Sequence, residues 1–134
     1  MSRGRILVVD DEIYIVHILE FSLTMEGYTV ITASNGEEAL QAIERERPDL
    51  VVLDIMMPKL DGYEVCRRLR ENEEFRALPV ILLSAKGRAI DREAGLAAGA
   101  DAYITKPFSP RKLLEKIKEL SVTEEGSVRK AVGF

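Results

Sequence analysis

The chain is poor in the residues that build soft metal centres, disulfides and membrane spans. It has one cysteine and one histidine in 134 residues, and its formal net charge is only −4. A lone Cys66 excludes an internal disulfide and fits a reducing compartment, so a cytoplasmic location is expected. With His17 as the only imidazole, a zinc or iron–sulfur centre lacks its ligand set. A small acidic surplus gives nucleic acid no electrostatic footing, so no direct nucleic-acid binding is expected. No apolar run approaches the ~20 residues that cross a bilayer, and the first residues lack the apolar stretch of a signal peptide. Membrane is therefore not an expected partner. A glycine-rich phosphate loop is missing too. Asp10-Asp11 stands where a nucleotide or flavin binder would need one, and carboxylates there repel phosphate unless a metal intervenes.

What is present is a run of short apolar segments that stop on reactive residues. Ile6-Leu7-Val8-Val9 stops at Asp10-Asp11, and Leu50-Val51-Val52-Leu53 at Asp54. Val80-Ile81-Leu82-Leu83 stops at Ser84, and Ala102-Tyr103-Ile104-Thr105 at Lys106. Such runs read as strands buried on both faces of a parallel sheet. In open sheets of this kind ligands bind beyond the carboxyl ends of the strands, where strand order reverses. Three carboxylates, a hydroxyl and an ammonium are thus expected at one edge. That set suits a divalent cation beside a phosphoryl group.

Helical periodicity fills the gaps. Glu12 to Glu26 carries Ile15, Ile18, Leu19 and Leu23 at helical spacing, with Gly27 as its stop. Thr29 to Ala33 is a further strand. Asn35 caps a helix over 36–46, with Glu38 at the capping-box position and Ala39, Leu40 and Ile43 inward. Asp61 caps another to about Asn72, with Glu64 in the box and Val65 and Leu69 inward. A fourth helix spans roughly 89–98 on small residues, Ala94, Ala97 and Ala98. Ser109 caps the fifth, with Pro110 first and Leu113, Leu114, Ile117 and Leu120 on its inner face. Five strands alternating with five helices make a doubly wound α/β domain over residues 1–120. Residues 121–134 show no clean period and read as a tail or the start of a linker.

Asp10-Asp11, Leu-Asp-Ile-Met-Met-Pro around Asp54 with Gly62 downstream, Leu-Ser-Ala at Ser84 and Tyr-Ile-Thr-Lys-Pro-Phe at Lys106 together resemble the receiver domain of two-component response regulators. The resemblance runs from about Arg5 to Leu120 and is nearest to receivers of winged-helix transcription regulators. It implies a flavodoxin-like (βα)5 three-layer sandwich with strand order 2-1-3-4-5. It implies Asp54 as phosphoacceptor, supported by Lys106 and Ser84. It also implies a Mg²⁺ site, with Mn²⁺ as the alternative, held by Asp10, Asp11, Asp54 and the backbone carbonyl of Met56. Ser84 and Tyr103 become a switch pair that reshapes the fourth helix, fifth strand and fifth helix, and Lys106-Pro107 becomes a cis peptide. Ile15, Pro107 and Phe108 become contacts for a sensor histidine kinase. The output is a downstream protein or a missing output domain.

Two other classes compete on the same pattern. A phosphatase working through an aspartyl phosphate needs a second Asp two residues after the nucleophile, where this chain has Met56. A nucleotide binder needs the loop that Asp10-Asp11 replaces. On helix one, Ile13, Val16 and Phe21 exceed what one buried face needs and suggest an exposed apolar patch. Met56 and Lys86 flank the acceptor, where they would govern the access of water. Dimerisation is expected to be weak. The winged-helix class places acids where this chain has Ala102 and Lys112, although Asp101 and Lys116 are kept. The chain is expected to be mostly monomeric, with a weak dimer at best after phosphorylation. Whether it stands alone or is cut from a longer regulator stays open at this point.

Overall fold

The computed structural model describes residues 3–85 and 89–126. Five parallel strands, β1 (Arg5–Val9), β2 (Thr29–Ala33), β3 (Leu50–Asp54), β4 (Val80–Ser84) and β5 (Ala102–Thr105), form one sheet in the order β2-β1-β3-β4-β5. Helices α1 (Ile13–Met25), α2 (Gly36–Glu46), α3 (Gly62–Glu71), α4 (Ala89–Ala97) and α5 (Pro110–Gly126) make the crossovers. This is the expected doubly wound architecture. The register pairs Val9 with Leu53, Asp54 with Leu83 and Ser84 with Thr105, so the strands finish level at one edge. Strand order reverses between β1 and β3, which puts Asp10 and Asp54 side by side there.

Alternating strand residues feed two cores. Leu7, Val9, Val51, Leu53 and Leu82 pack with Ala42 and Ile43 of α2 and Val65 and Leu69 of α3. Ile6, Val8, Val52, Ile81 and Leu83 pack with Leu19 and Leu23 of α1 and Leu113 and Ile117 of α5. Every residue of β3 and β4 is buried. Burying each such aliphatic side chain contributes about 1.5–3 kcal/mol, so the strands that carry Asp54 and Ser84 are the most firmly held.

Three helices depart from their expected faces or ends. In α1 the buried set is Val16, Leu19 and Leu23, whereas Ile18 is 53% exposed. The core follows the i, i+3, i+7 row from Val16, and Ile18 falls on the opposite side of that row. In α4 Ala94 and Ala97 are exposed, while Gly95 and Ala98 turn inward. A Cβ on Gly95 would lie 2.9 Å from Cδ2 of Tyr103 and 3.2 Å from Leu82. The missing side chain is what lets α4 lie against the tyrosine ring. Finally, α5 runs to Gly126, past the expected end at Leu120; residues 127–134 lie outside the described residues.

Caps follow the sequence with local changes. Asn35 Oδ1 accepts the Glu38 N–H at 2.9 Å, but the Glu38 carboxylate reaches back to Ser34 instead of Asn35. Asp61 Oδ1 accepts the Glu64 N–H at 2.9 Å, while Glu64 turns outward to Arg67 and Arg68. Ser109 Oγ accepts from Lys112 N–H, as expected. A staple absent from the sequence reading joins α3 to the β4 and β5 strand starts. Arg70 donates to the carbonyls of Gly99 and Leu78, both at 2.8 Å, and to Asp101 Oδ2 at 3.0 Å. The same Asp101 oxygen accepts the Val80 N–H at 2.8 Å. Gly99 sits at φ +103°, which favours glycine. Among the described residues, no helix is long and apolar enough to cross a membrane.

Candidate functional site

The carboxyl edge of the sheet gathers the expected residues. Asp10 follows β1 and is 1% exposed, Asp54 ends β3 and is 4% exposed, and Asp11 faces solvent. Oxygens of the three carboxylates lie within 4.8 Å of one another. Lys106, directly after β5, sends its ammonium among them, 3.0 Å from Asp10 Oδ2 and 3.3 Å from Asp54 Oδ1. The Lys106-Pro107 bond is cis, as the resemblance implied.

The loop after β3 is held by a close backbone approach. A Cβ on Gly62 would fall 2.7 Å from the Asp54 carbonyl oxygen and 2.9 Å from Ile55 Cα. Gly62 N–H donates to the Ile55 carbonyl at 3.0 Å. Any side chain there would push on backbone, so glycine at the start of α3 fixes where Asp54 sits. Met56, two residues beyond Asp54, has an exposed side chain and stands in the bend before that turn.

Electrostatics match the crowding. Burial drives the Asp54 carboxyl up to about 6, the Asp10 charge adds to the rise, and Lys106 opposes it. For Lys106, burial pulls downward, but its hydrogen bond to Asp10 and the surrounding negative charges outweigh that and leave its pKa raised. The donor set is all hard oxygen, and octahedral Mg²⁺ with bonds of about 2.1 Å brings its oxygens to spacings of this order. The residues therefore fit such a cation.

Ser84 is buried at the end of β4, and its carbonyl accepts the Lys106 N–H at 2.6 Å. Tyr103 is buried, its ring against Gly95 and beneath the Arg92 guanidinium, 5.5 Å from the ring centre. Its hydroxyl bonds the Tyr63 phenol, which donates to the Asp91 carbonyl at 3.3 Å. The space beside α4 is thus already filled by the ring in this structure. Ile15, Pro107 and Phe108 meet in a groove of about 470 Å³ next to the acidic pocket, together with Glu12, Ile18 and Leu19. The exposed α1 patch consists of Ile13, Tyr14, Ile18, Phe21 and Met25. Val16, expected in it, is core. Lys86 lies outside the described residues. His17 stands with Phe21 and Met25 away from the pocket. Cys66 is fully buried, and burial pushes its thiol up to about 11, which makes it inert.

One site residue escaped the sequence reading. Glu12 Oε1 accepts from Lys106 Nζ at 3.2 Å, and the Glu12 backbone N–H donates to Asp10 Oδ1 at 2.9 Å. The signal was there, a third acid directly after Asp10-Asp11, but it read as the first residue of a helix.

A parallel 2-1-3-4-5 sheet with buried acids and a lysine at its switch point places the molecule among CheY-like flavodoxin-fold domains. Residues 6–118 match the model of the response regulator receiver domain. The chain belongs to that family and is a receiver domain of the two-component response regulators. It is 53% identical over 116 residues to the alkaline phosphatase synthesis transcriptional regulatory protein PhoP of Bacillus subtilis, covering 87% of this chain and 48% of that protein. The chain thus spans about half the length of the curated relatives it matches. The receiver domain of Francisella response regulator 1452 superposes with a TM-score of 0.86 at 34% identity, covering 91% of this chain and 99% of that one. The receiver domain of sensor histidine kinase PA1611 from Pseudomonas aeruginosa, solved with magnesium coordinated in its active-site cleft, gives 0.80 at 34% identity, with 87% and 95% covered.

Proposed function

We propose that Asp54 accepts a phosphoryl group from a sensor histidine kinase and that the chain catalyses no reaction other than its own phosphorylation and dephosphorylation. The observation that carries this is the buried Asp54 carboxylate, 3.3 Å from the Lys106 ammonium and clustered with Asp10 and Asp11. An Asp54 oxygen attacks phosphorus in line as the bond to the leaving group breaks. Lys106 neutralises charge on the transferring oxygens, and the Ser84 hydroxyl takes one of them. Asp10, Asp11, Asp54 and the Met56 backbone carbonyl would hold Mg²⁺ or Mn²⁺, with Asp10 acting mainly through water. When bound, the cation neutralises the clustered carboxylates and the phosphoryl oxygens.

Ser84 and Tyr103 form the switch pair, and α4, β5 and α5 form the surface it reshapes. The kinase docks at Ile15, Pro107 and Phe108, in the groove beside the pocket. Residues 1–120 act as the receiver, and 121–134, which include the last turns of α5, lead toward an output unit or partner. We place this exchange in the cytoplasm, where the kinase's phosphohistidine is presented.

Incubation with acetyl phosphate and Mg²⁺ tests the reading by intact mass. One phosphoryl group is expected on the parent protein and none on Asp54→Asn. Equal labelling of the variant would refute the acceptor assignment.

A further inference from the structure

The Lys106 ammonium has three N–H donors, and three carboxylates surround it: Asp10 at 3.0 Å, Glu12 at 3.2 Å and Asp54 at 3.3 Å. The donor that faces Asp54 can pass to the phosphoryl oxygen formed there, but hydrogen bonds to Asp10 and Glu12 hold the ammonium back, and it advances fully only if one of those two lets go. Asp10 cannot do so readily. Its side chain is fully buried, and its other oxygen is pinned by the Glu12 N–H. A buried charge that loses its partner is costly. Asp54 is the acceptor and stays at the reacting centre. Glu12 is the exception, with a side chain 59% exposed that can turn into water at little cost.

From this we infer that Glu12 is a positioning residue that holds Lys106 back from the phosphoryl group and must release it during transfer. The inference rests on the phosphoacceptor reading of Asp54. In that step an Asp54 carboxylate oxygen bonds to phosphorus, the bond from phosphorus to the donor's leaving oxygen or nitrogen breaks, and the leaving group departs with the electron pair. Asp54 gives up no proton. The freed Lys106 N–H turns from Glu12 to a phosphoryl oxygen.

Glu12 also lines the apolar groove with Ile15, Ile18 and Phe108. A partner cation seated at the groove's rim would draw Glu12 away and free Lys106, which ties docking to reactivity through one side chain. Loss of the grip has a bounded effect, because the contact is exposed. Glu12→Ala and Glu12→Gln should both be phosphorylated about two- to five-fold faster than the parent.

Removing a negative charge at the mouth of the pocket would also ease the approach of an anionic donor, so two donors are compared. Acetyl phosphate is a dianion near neutral pH and phosphoramidate a monoanion. Release of Lys106 accelerates both by the same factor, whereas relief of mouth repulsion favours the dianion. The ¹H–¹⁵N resonance of the Lys106 ammonium, recorded without metal or donor, supplies a readout independent of turnover and should shift in both variants. Acceleration confined to acetyl phosphate, or an unmoved Lys106 resonance, would overturn the inference. So would unchanged rates in a parent protein that is itself phosphorylated. A parent that takes no phosphoryl group would remove the acceptor reading beneath it.

Discussion

At the scale of single residues, the chemistry concentrates where burial and charge conflict. Asp54 is held at about 6 against an ordinary 3.8, so the folded chain binds its proton more tightly than the unfolded chain does. The stability this gives is complete below the unfolded value and is lost as pH rises through about 6. In metal-free buffer the unfolding temperature should therefore fall from about pH 4 to about pH 7 more steeply for the parent than for Asp54→Asn. Mg²⁺ should cancel most of that fall, because it binds the ionised set only in the folded state. Parallel melting profiles with and without Asp54 would show that this carboxyl does not titrate in the window. The main site residues were legible because each ends a strand. Glu12 was not, since its role depends on where a lysine 94 residues away places its ammonium.

Among the elements, the strands and caps followed from local pattern, and the helix faces did not always. Asn35, Asp61 and Ser109 cap as expected because capping is settled within three residues. Which side of α4 turns inward depends instead on Tyr103, a residue of the next strand. Three alanines offered an equally plausible face, but the ring selected Gly95. Gly95→Ala should therefore cost about 1–3 kcal/mol by overpacking. Ala94→Gln, on the exposed side, should stay within about 0.5 kcal/mol. Urea unfolding of the two variants checks this, and equal midpoints would mean that α4 does not pack on the ring as described. In α1 the same ambiguity arose from too many apolar residues. Isoleucine is present at 13, 15 and 18, and only contact with the sheet decides that Val16 goes inside.

For the whole molecule, the charges that could join two copies are largely engaged within one. Asp101 accepts from Arg70 and from the Val80 backbone, and Lys116 pairs with Glu119 at 3.1 Å. By the resemblance to winged-helix receivers, Ala102 and Lys112 stand where acids are expected, so a two-fold face through α4, β5 and α5 is expected to lack those counter-charges. Sedimentation with Mg²⁺ and beryllofluoride should find mostly monomer at micromolar concentration. A stable dimer at moderate salt would show that apolar contacts on that face suffice.

The Arg70 staple also has a mechanical meaning. It clamps the turn at Gly99, just beyond the C-terminal end of α4, to α3 and to the strand starts of β4 and β5. Near its other end, among the described residues, α4 receives a hydrogen bond from Tyr63 at the Asp91 carbonyl, 3.3 Å long, and lays Arg92 over the Tyr103 ring. If α4 moves when the pocket is phosphorylated, the expected pivot is its clamped end at Gly99. On the proposed Ser84 and Tyr103 switch, hydrogen exchange after phosphorylation is then expected to change more around Asp91 than around Ala97; equal change at both ends would mean that Gly99 is no pivot.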